Sequence, residues 1–270
     1  MTENINFWRD SSIPFIEVRS VADGRKVCYE KHSHDTFSIG AVTAGYSQYV
    51  GENFCENISA GTVVLMNARE VHACNPINAH PWSYIMFYVD SSWLMRLQHD
   101  LGIATGLQLQ KFESRISHDQ ELFKGLLSLY ETLIDDRHDV LFKQSEILEF
   151  FVLLHEKNRC VPELRQTFNP KLKKVADFIA QSCTDKLTLD VLCRVSDLSP
   201  FYLIRAFKWQ YGMTPHNYLI NCRVQYAQTQ LKNGRSIADV ALDAGFTDQA
   251  HFQRVFKRIV AATPNQYKGC

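Results

Sequence analysis

The sequence predicts a multidomain protein: an N-terminal all-β barrel or sandwich with trailing helices, then an all-α domain with two helix-turn-helix motifs. At 270 residues the chain exceeds the usual size of one domain. Its first ninety residues have the pattern of short strands with frequent turns, whereas the remainder has the period of helices. Within the last hundred residues the sequence repeats itself at an offset of 49.

The strand-like region covers residues 12–92. Its β-branched and aromatic runs, at residues 37–42, 62–66 and 84–89, are separated by Gly, Asn and Pro. Runs of this kind, bounded by turn residues, favour a small β-barrel or sandwich.

Residues 93–157 are expected to be helical. Apolar residues recur there three and four positions apart, which is the spacing of an amphipathic helix. One helix is predicted before residues 135–139 and one after them. These two helices are expected to cover the barrel, to pair with a second subunit, or to do both.

A linker is predicted at residues 158–169, which lack a period and contain a proline. It divides a first domain of residues 1–157 from a second domain of residues 170–270. Asn169-Pro170 is typical of an N-cap followed by proline at the first helical position.

The second domain contains one structural unit twice. Six identities lie in register at the offset of 49: Arg205, Phe207, Lys208, Thr214, Pro215 and Tyr218 fall on Arg254, Phe256, Lys257, Thr263, Pro264 and Tyr267. Ser199 falls on Asp248, so both copies of the second helix begin at a good N-cap residue. Matched identities and caps predict a duplicated helix-turn-helix.

The first helix of each unit begins after Thr188 or Ser236, and Gly245 suits a turn residue with a positive φ. A single helix over Pro215–Lys232 joins the units and spans about 25 Å. Its predicted inner face is Leu219, Cys222 and Tyr226. Adjacent major-groove segments on one face of B-DNA lie about 34 Å apart, so one subunit is expected to read two of them.

The second helix of each unit presents polar and apolar groups outward. Leu203 and Phe207, like Phe252 and Phe256, are spaced to face the interior. The outward residues are Phe201, Ile204, Arg205 and Lys208 in the first copy, and Gln249, Ala250, Gln253, Arg254 and Lys257 in the second. Arg reads guanine, Gln reads adenine, and apolar groups meet the thymine methyl, so we expect double-stranded DNA as the partner.

The two halves have opposite charge. Residues 1–169 contain 15 Lys/Arg and 22 Asp/Glu, which gives a net charge of −7. Residues 170–270 contain 14 Lys/Arg and 7 Asp/Glu, which gives a net charge of +7. A basic second half indicates nucleic-acid binding.

The eight cysteines form no C-x-x-C pair, which fits a reduced compartment. The chain has no signal-peptide pattern and no run of eighteen apolar residues, so we expect a cytoplasmic protein without a membrane partner.

Residues 188–268 resemble the DNA-binding domain of the AraC/XylS family of bacterial regulators. The stretches that carry the resemblance include LSPFYL (198–203), GMTP (212–215), GFTDQ (245–249) and HFQRVFK (251–257). The resemblance adds Tyr202 and His251 to the expected DNA-facing residues. Ile204 departs from relatives that place a polar base reader there, so the first unit is expected to supply methyl and phosphate contacts.

The first domain is similar to the cupin-type ligand-binding domain of the same family. The resembling segments are residues 7–10, 32–40, 61–66, 70–72 and 82–84. The resemblance implies a small-molecule effector in the barrel, homodimerisation through the helices that follow, and RNA polymerase as a partner. The sequence leaves open whether the protein is an activator or a repressor, and we take activator as the working expectation.

Six residues are the candidate effector-binding set: His34, Tyr46, His72, Trp82, Tyr84 and Met86. The last three share strand parity and therefore one face. The alternative is that this aromatic row is plain barrel core. The sequence leaves the chemistry of the effector open between a sugar and an amino acid.

His32, His34 and His72 are candidate metal ligands, because an H-x-H pair on a strand points both rings to one side and a third histidine completes a set. Metal cupins usually add a carboxylate after the H-x-H, and none stands at that place. We therefore expect no metal and no cofactor.

Three hypotheses remain for the whole chain. The preferred one is an effector-controlled transcription regulator that is not an enzyme. The alternatives are a metal-dependent cupin enzyme fused to a DNA-binding domain, and a regulator controlled by a partner protein with a closed barrel.

Overall fold

A computed structural model describes the whole chain except residues 1–4, 26, 52–53, 105, 107, 163–168 and 270. The chain folds into two compact units, whose main boundary falls between residues 164 and 165, with the short segment 29–33 grouped with the second unit. The first unit is rich in strands and the second is helical. This confirms the predicted fold class.

The larger sheet of the first unit is antiparallel. Its strands are β1 (Ile5–Trp8), β2 (Ile16–Val21), β3 (Phe37–Val50), β4 (Cys55–Ser59), β5 (Val63–Met66), β6 (Ala73–Pro76) and β7 (Trp82–Val89). The order β1-β2-β7-β3-β5 continues to β9 (Ile116–Ser117). The first half of β3 pairs with β5 and β7 and its second half with β4 and β6, with a bulge between Val42 and Ala44.

Helices α1 (Ser91–Asp100), α2 (Gln120–Ile134) and α3 (Val140–Lys157) follow the sheet. The predicted helical pair is confirmed, and Asp119 and Asp139 cap α2 and α3 through their side chains. Alternate strand residues such as Ile39, Ile85 and Phe87 are buried in one core with apolar residues of these helices. The helices therefore cover one face of the sheet, which we call the outer face.

A second, two-stranded sheet lies within the first unit. It pairs β8 (Gln110–Phe112) with β10 (Cys160–Pro162). The sequence predicts residues 160–162 to be linker, but they form a paired strand, because the partner strand that satisfies their backbone groups is some fifty residues away in sequence. Most of the remaining predicted linker lies outside the described residues.

The second unit is built from helices, most of which begin at a residue whose side chain accepts a backbone N–H, although the predicted N-cap Ser199 makes no such hydrogen bond. The helices are α4 (Pro170–Gln181), α5 (Leu189–Ser196), α6 (Pro200–Tyr211), α7 (Pro215–Lys232), α8 (Ile237–Asp243), α9 (Gln249–Val260) and α10 (Pro264–Lys268). The predicted bounds of α7 are confirmed at both ends. The hydroxyls of Thr188, Thr214 and Ser236 accept the expected N-cap hydrogen bonds.

Helix α7 has a wider inner face than the sequence predicts. Leu219, Cys222 and Tyr226 pack in the core that also holds α4, α5 and α6, as expected. Val224, Ala227 and Leu231 are also buried. Because α7 also packs against α8, α9 and α10, it carries a second apolar stripe for the second helix-turn-helix.

Candidate DNA-binding and effector-binding sites

Helices α6 and α9 occupy equivalent positions in the two helix-turn-helix units. Each buries its predicted apolar pair: Leu203 and Phe207 in α6, and Phe252 and Phe256 in α9, are 0% exposed. Each also ends at a left-handed residue, Gly212 and Ala261, again 49 positions apart. The repeat seen in the sequence is therefore a repeat of backbone geometry, down to the C-cap.

The outward side of α9 is open to solvent. Gln249, Ala250, Gln253, Arg254 and Lys257 are exposed, and His251 is half-buried. Asp248 caps the helix by accepting from the backbone N–H of His251 at 2.7 Å, and Thr247 Oγ1 lies 3.0 Å from His251 Nδ1. The helix thus offers two amide side chains and two cations on its solvent-exposed side, as a reading helix requires.

The outward side of α6 is more aromatic. Phe201, Tyr202 and Ile204 are 75%, 50% and 40% exposed, and Arg205 and Lys208 are exposed as well. Trp209, at 82%, is not among the residues predicted from the sequence. It follows Arg205 by one turn, so the helical period itself could have identified it.

Arg223 on α7 stabilises the turn between α8 and α9 in the second helix-turn-helix. Its position in the sequence does not reveal this role. Its guanidinium donates to the backbone oxygens of Cys183, Asp185 and Gly245 at 2.8, 3.0 and 2.7 Å. Gly245 has φ +76°, and a Cβ there would lie 2.9 Å from that guanidinium. Burial lowers the pKa of Arg223. The glycine and the arginine together hold α8 and α9 at their turn.

In the first unit, the face of the sheet turned away from the helices holds the predicted aromatic row. We call it the inner face. Trp82, Tyr84 and Met86 alternate along β7 and are all buried. The Trp82 and Tyr84 rings stack at 4.5 Å, and Trp82 Nε1 donates to the Gly24 carbonyl at 2.9 Å. Stacking and this hydrogen bond thus hold the Trp82 ring in one position on the inner face.

The inner face also carries charge that the sequence pattern does not predict. Arg19 on β2 is 1% exposed and stands in register with Met86, which stands opposite Gly40. Glu17, two residues earlier, pairs with Arg9 at 2.8 Å. Alternating polar residues on a strand are typical of a solvent face. Here, in contrast, Glu17 and Arg19 are both buried.

His34 and His72 lie together, whereas Tyr46 is separate. The His34 ring contacts the rings of His72 and Tyr88 at centroid distances of 4.8 and 5.7 Å. Burial lowers the pKa of His34. Tyr46 is 37% exposed and lies 5.0 Å from the His80 ring. Of the candidate metal ligands, His34 and His72 therefore lie together in the first unit, whereas His32 belongs to the segment grouped with the second.

A strand-rich ligand-binding unit joined to a duplicated helix-turn-helix defines the class of two-domain transcription regulators. Family models agree: an AraC-like ligand binding domain matches residues 17–151, and a helix-turn-helix domain matches residues 192–269. The chain therefore belongs to the AraC/XylS family of transcription regulators. In the part of the chain that the structure describes, no helix has the length and hydropathy to cross a bilayer.

Two relatives align with this chain over most of their length. The chain is 28% identical to the HTH-type transcriptional regulator YbfI of Bacillus subtilis, covering 83% of this chain and 81% of the relative. It is 22% identical to the transcriptional activator RhaR of Mannheimia succiniciproducens, covering 88% and 86%. These relatives are regulators of transcription and are not named as enzymes.

Solved structures of ToxT from Vibrio cholerae have the same fold. The apo form of a ToxT variant matches with a TM-score of 0.61 and 16% identity, covering 97% of this chain and 98% of that one. Wild-type ToxT with a bound unsaturated fatty acid matches with a TM-score of 0.59 and 15% identity, covering 99% and 96%.

Proposed function

We propose that the protein binds operator DNA by placing α6 and α9 in two adjacent major grooves. The observation that carries this is the pair of equivalent, solvent-exposed helix faces, each backed by a buried apolar pair and joined through α7. The DNA-facing set is Phe201, Tyr202, Ile204, Arg205, Lys208, Gln249, Ala250, His251, Gln253, Arg254 and Lys257. We add Trp209 to it as a flanking contact.

Selection of bound duplexes from a random pool by the full-length protein tests this geometry. Two conserved blocks are expected, with centres about 10–10.5 base pairs apart, because adjacent major-groove segments recur once per helical turn. The block read by α9 is expected to be the more sharply defined, since α9 offers Gln and Arg where α6 offers Ile204 and aromatic rings. Recovery of one short block alone would contradict the proposal.

We propose that the effector binds against the inner face and is a small molecule with an apolar body and an acidic group. Tyr84 and Met86 give the apolar wall, and Arg19 places a cation beside them. His34 and His72 remain candidate contacts, and Trp82 is part of the wall. The exposed Tyr46 is the weakest member of the predicted set. The fatty acid held by ToxT supports this class of molecule.

An unsaturated fatty acid is therefore the first probe. It is expected to raise the melting temperature of the full-length protein, and Arg19→Met should reduce that shift while preserving most of the length of the side chain. The matched control is Arg25→Met, which removes an exposed arginine of the same unit. An equal shift in all three proteins would contradict an acid-binding role for Arg19.

We propose that the protein forms a homodimer through α3. Leu141 and Leu148 lie seven residues apart on one side of this helix and are 74% and 45% exposed. Leu141→Glu is expected to shift sedimentation toward the monomer, whereas Leu242→Glu, on the 64% exposed Leu242 of α8, should not. A wild-type protein that sediments as a monomer at all concentrations would rule this out.

We propose further that the protein acts in the cytoplasm, where promoter DNA is found, as an activator that contacts RNA polymerase. The name of the RhaR relative as a transcriptional activator supports this assignment. The measurement is transcript yield from the selected operator with purified polymerase. A lower yield on adding the protein would make it a repressor.

A further inference from the structure

The short strand β8 is hydrogen-bonded along both of its edges. On one edge its backbone pairs with β10. On the other edge it meets the side-chain amides of Gln98 and Asn67, which are 0% and 4% exposed. Gln98 accepts from the Gln110 N–H at 2.8 Å and donates to the Gln110 carbonyl at 3.1 Å. Asn67 makes the same pair of bonds with Phe112, at 2.9 and 3.0 Å. Two buried amides therefore hold this edge in place of a neighbouring strand.

The bonds to Gln110 fix the orientation of the Gln98 amide and, through it, the tautomer of His155 on α3. Gln98 Nε2 lies 3.3 Å from His155 Nε2 and 3.8 Å from the Cys160 sulfur. Because an amide nitrogen can only donate, His155 Nε2 must accept. His155 Nδ1 lies 2.6 Å from the Phe151 carbonyl oxygen, which can only accept, so Nδ1 carries the proton. These contacts thus accommodate a neutral imidazole.

Protonation of His155 would set two donors against each other. The new Nε2–H would point at the N–H of Gln98, and rotating that amide would break both of its bonds to Gln110. The His155 ring also packs on the Phe112 ring of β8, with their centroids 4.9 Å apart. Burial lowers the pKa of His155, in agreement with these contacts. A second proton on this ring therefore acts directly on β8.

The surroundings of His155 are uncharged. The contacts from α1 and β8 come from Gln98 and Phe112. On β10, burial raises the pKa of the Cys160 thiol to about 11, so this group is neutral at neutral and acidic pH. The nearest charged side chains along these elements are exposed or engaged elsewhere: Arg96, His99, Asp100 and Glu156 are exposed, Lys111 lies 3.5 Å from Glu70, Lys157 lies 2.6 Å from Glu121, and Arg159 lies 4.0 Å from Glu113.

We propose that His155 is a proton-sensitive switch that loosens β8 and β10 when it becomes charged. β10 is the last strand of the first unit, and the chain continues from it toward α4. The switch therefore acts on the segment by which the chain leaves the first unit. It is independent of the proposed DNA-binding and effector-binding sites.

The direction of the pH dependence follows from the lowered pKa of His155. Above the ordinary histidine pKa of about 6.5 the ring is neutral whether or not the strand pair is formed, so the pair has its full stability. Below that value the opened state binds a proton that the closed state excludes. The stability of the pair therefore falls as the pH falls, until the lowered pKa of the closed state is reached.

Amide hydrogen exchange of the full-length protein, corrected for the intrinsic rate at each pH, tests the switch between about pH 8 and about pH 5. Protection in peptides that cover residues 110–112 and 160–162 is expected to fall by up to about tenfold per pH unit, the limit for uptake of one proton. Strands β3 and β7 are expected to keep their protection. Protection of β8 and β10 that stays constant across this range would overturn the proposal.

Substitution by glutamine separates the proton from the packing. The side-chain oxygen of His155→Gln can accept from Gln98 but does not titrate in this range, so β8 and β10 should stay protected at low pH. The control is His99→Gln, which removes an exposed histidine of α1 and should behave as the wild type. A pH dependence in His155→Gln equal to that of the wild type would refute the proposal.

A second variant moves the proton affinity in the opposite direction. Gln98→Glu places a carboxylate beside His155 Nε2, so the pKa of His155, measured by NMR titration of its ring protons, should rise above the wild-type value. The low-pH loosening should then begin at a higher pH than in the wild type. An unchanged pKa would show that Gln98 does not control the proton on His155, and the switch would be wrong.

Discussion

Replacing Arg254 with alanine is expected to weaken binding of the full-length protein to its operator by about 1–3 kcal/mol and to relax the preference at one base pair. Arg254 is exposed on the outward side of α9, one turn beyond Ala250 and opposite the buried Phe252 and Phe256. A guanidinium so placed matches the O6 and N7 acceptors of guanine. The measurement is the ratio of dissociation constants for operator and single-base variants at fixed salt.

Lys257→Ala is the matched control, because it removes a cation from the last turn of the same helix. Its loss should weaken operator and random duplexes alike and lower the slope of log affinity against log salt by about one. Arg254 would be reassigned to the DNA backbone if its variant behaved in the same way. Arg205→Ala then tests whether the first copy contributes readout or only anchoring.

Replacing Phe256 with alanine is expected to destabilise the second helix-turn-helix by about 3–5 kcal/mol. The Phe256 ring is 0% exposed and its centroid lies 5.4 and 5.6 Å from those of Phe252 and Tyr267. A cavity there removes contacts from α9 and α10 together. Hydrogen exchange measured by mass spectrometry should show faster exchange in α8, α9 and α10, while the sheet of the first unit keeps its protection.

Phe201→Ala provides the control of the same residue type. Phe201 is 75% exposed on α6, so its loss should change stability by no more than about 0.5 kcal/mol while it still weakens DNA binding. Equal exchange rates in wild type and Phe256→Ala would show that α9 is not held by this aromatic cluster. The assignment of its opposite side as the reading face would then fail too.

The helical unit was largely predictable because its signals are local. An N-cap, a proline in the first turn and an apolar period act within a few residues. Thr214 and Pro215 therefore mark the start of α7 independently of its tertiary contacts. The offset of 49 then identified two copies of one unit. The second apolar stripe of α7 was missed, because it becomes an inner face only when α8 and α9 pack against it.

The strand-rich unit was less predictable, because the sequence of a strand does not show which of its two faces packs against other elements. Register with β7 places Arg19 beside Met86, and no spacing within β2 shows that. The sequence alone established two domains, a duplicated reading helix and therefore a transcription regulator. Only the tertiary structure decided which side chains share the inner face and that His34 meets His72, because those contacts join residues far apart in the chain.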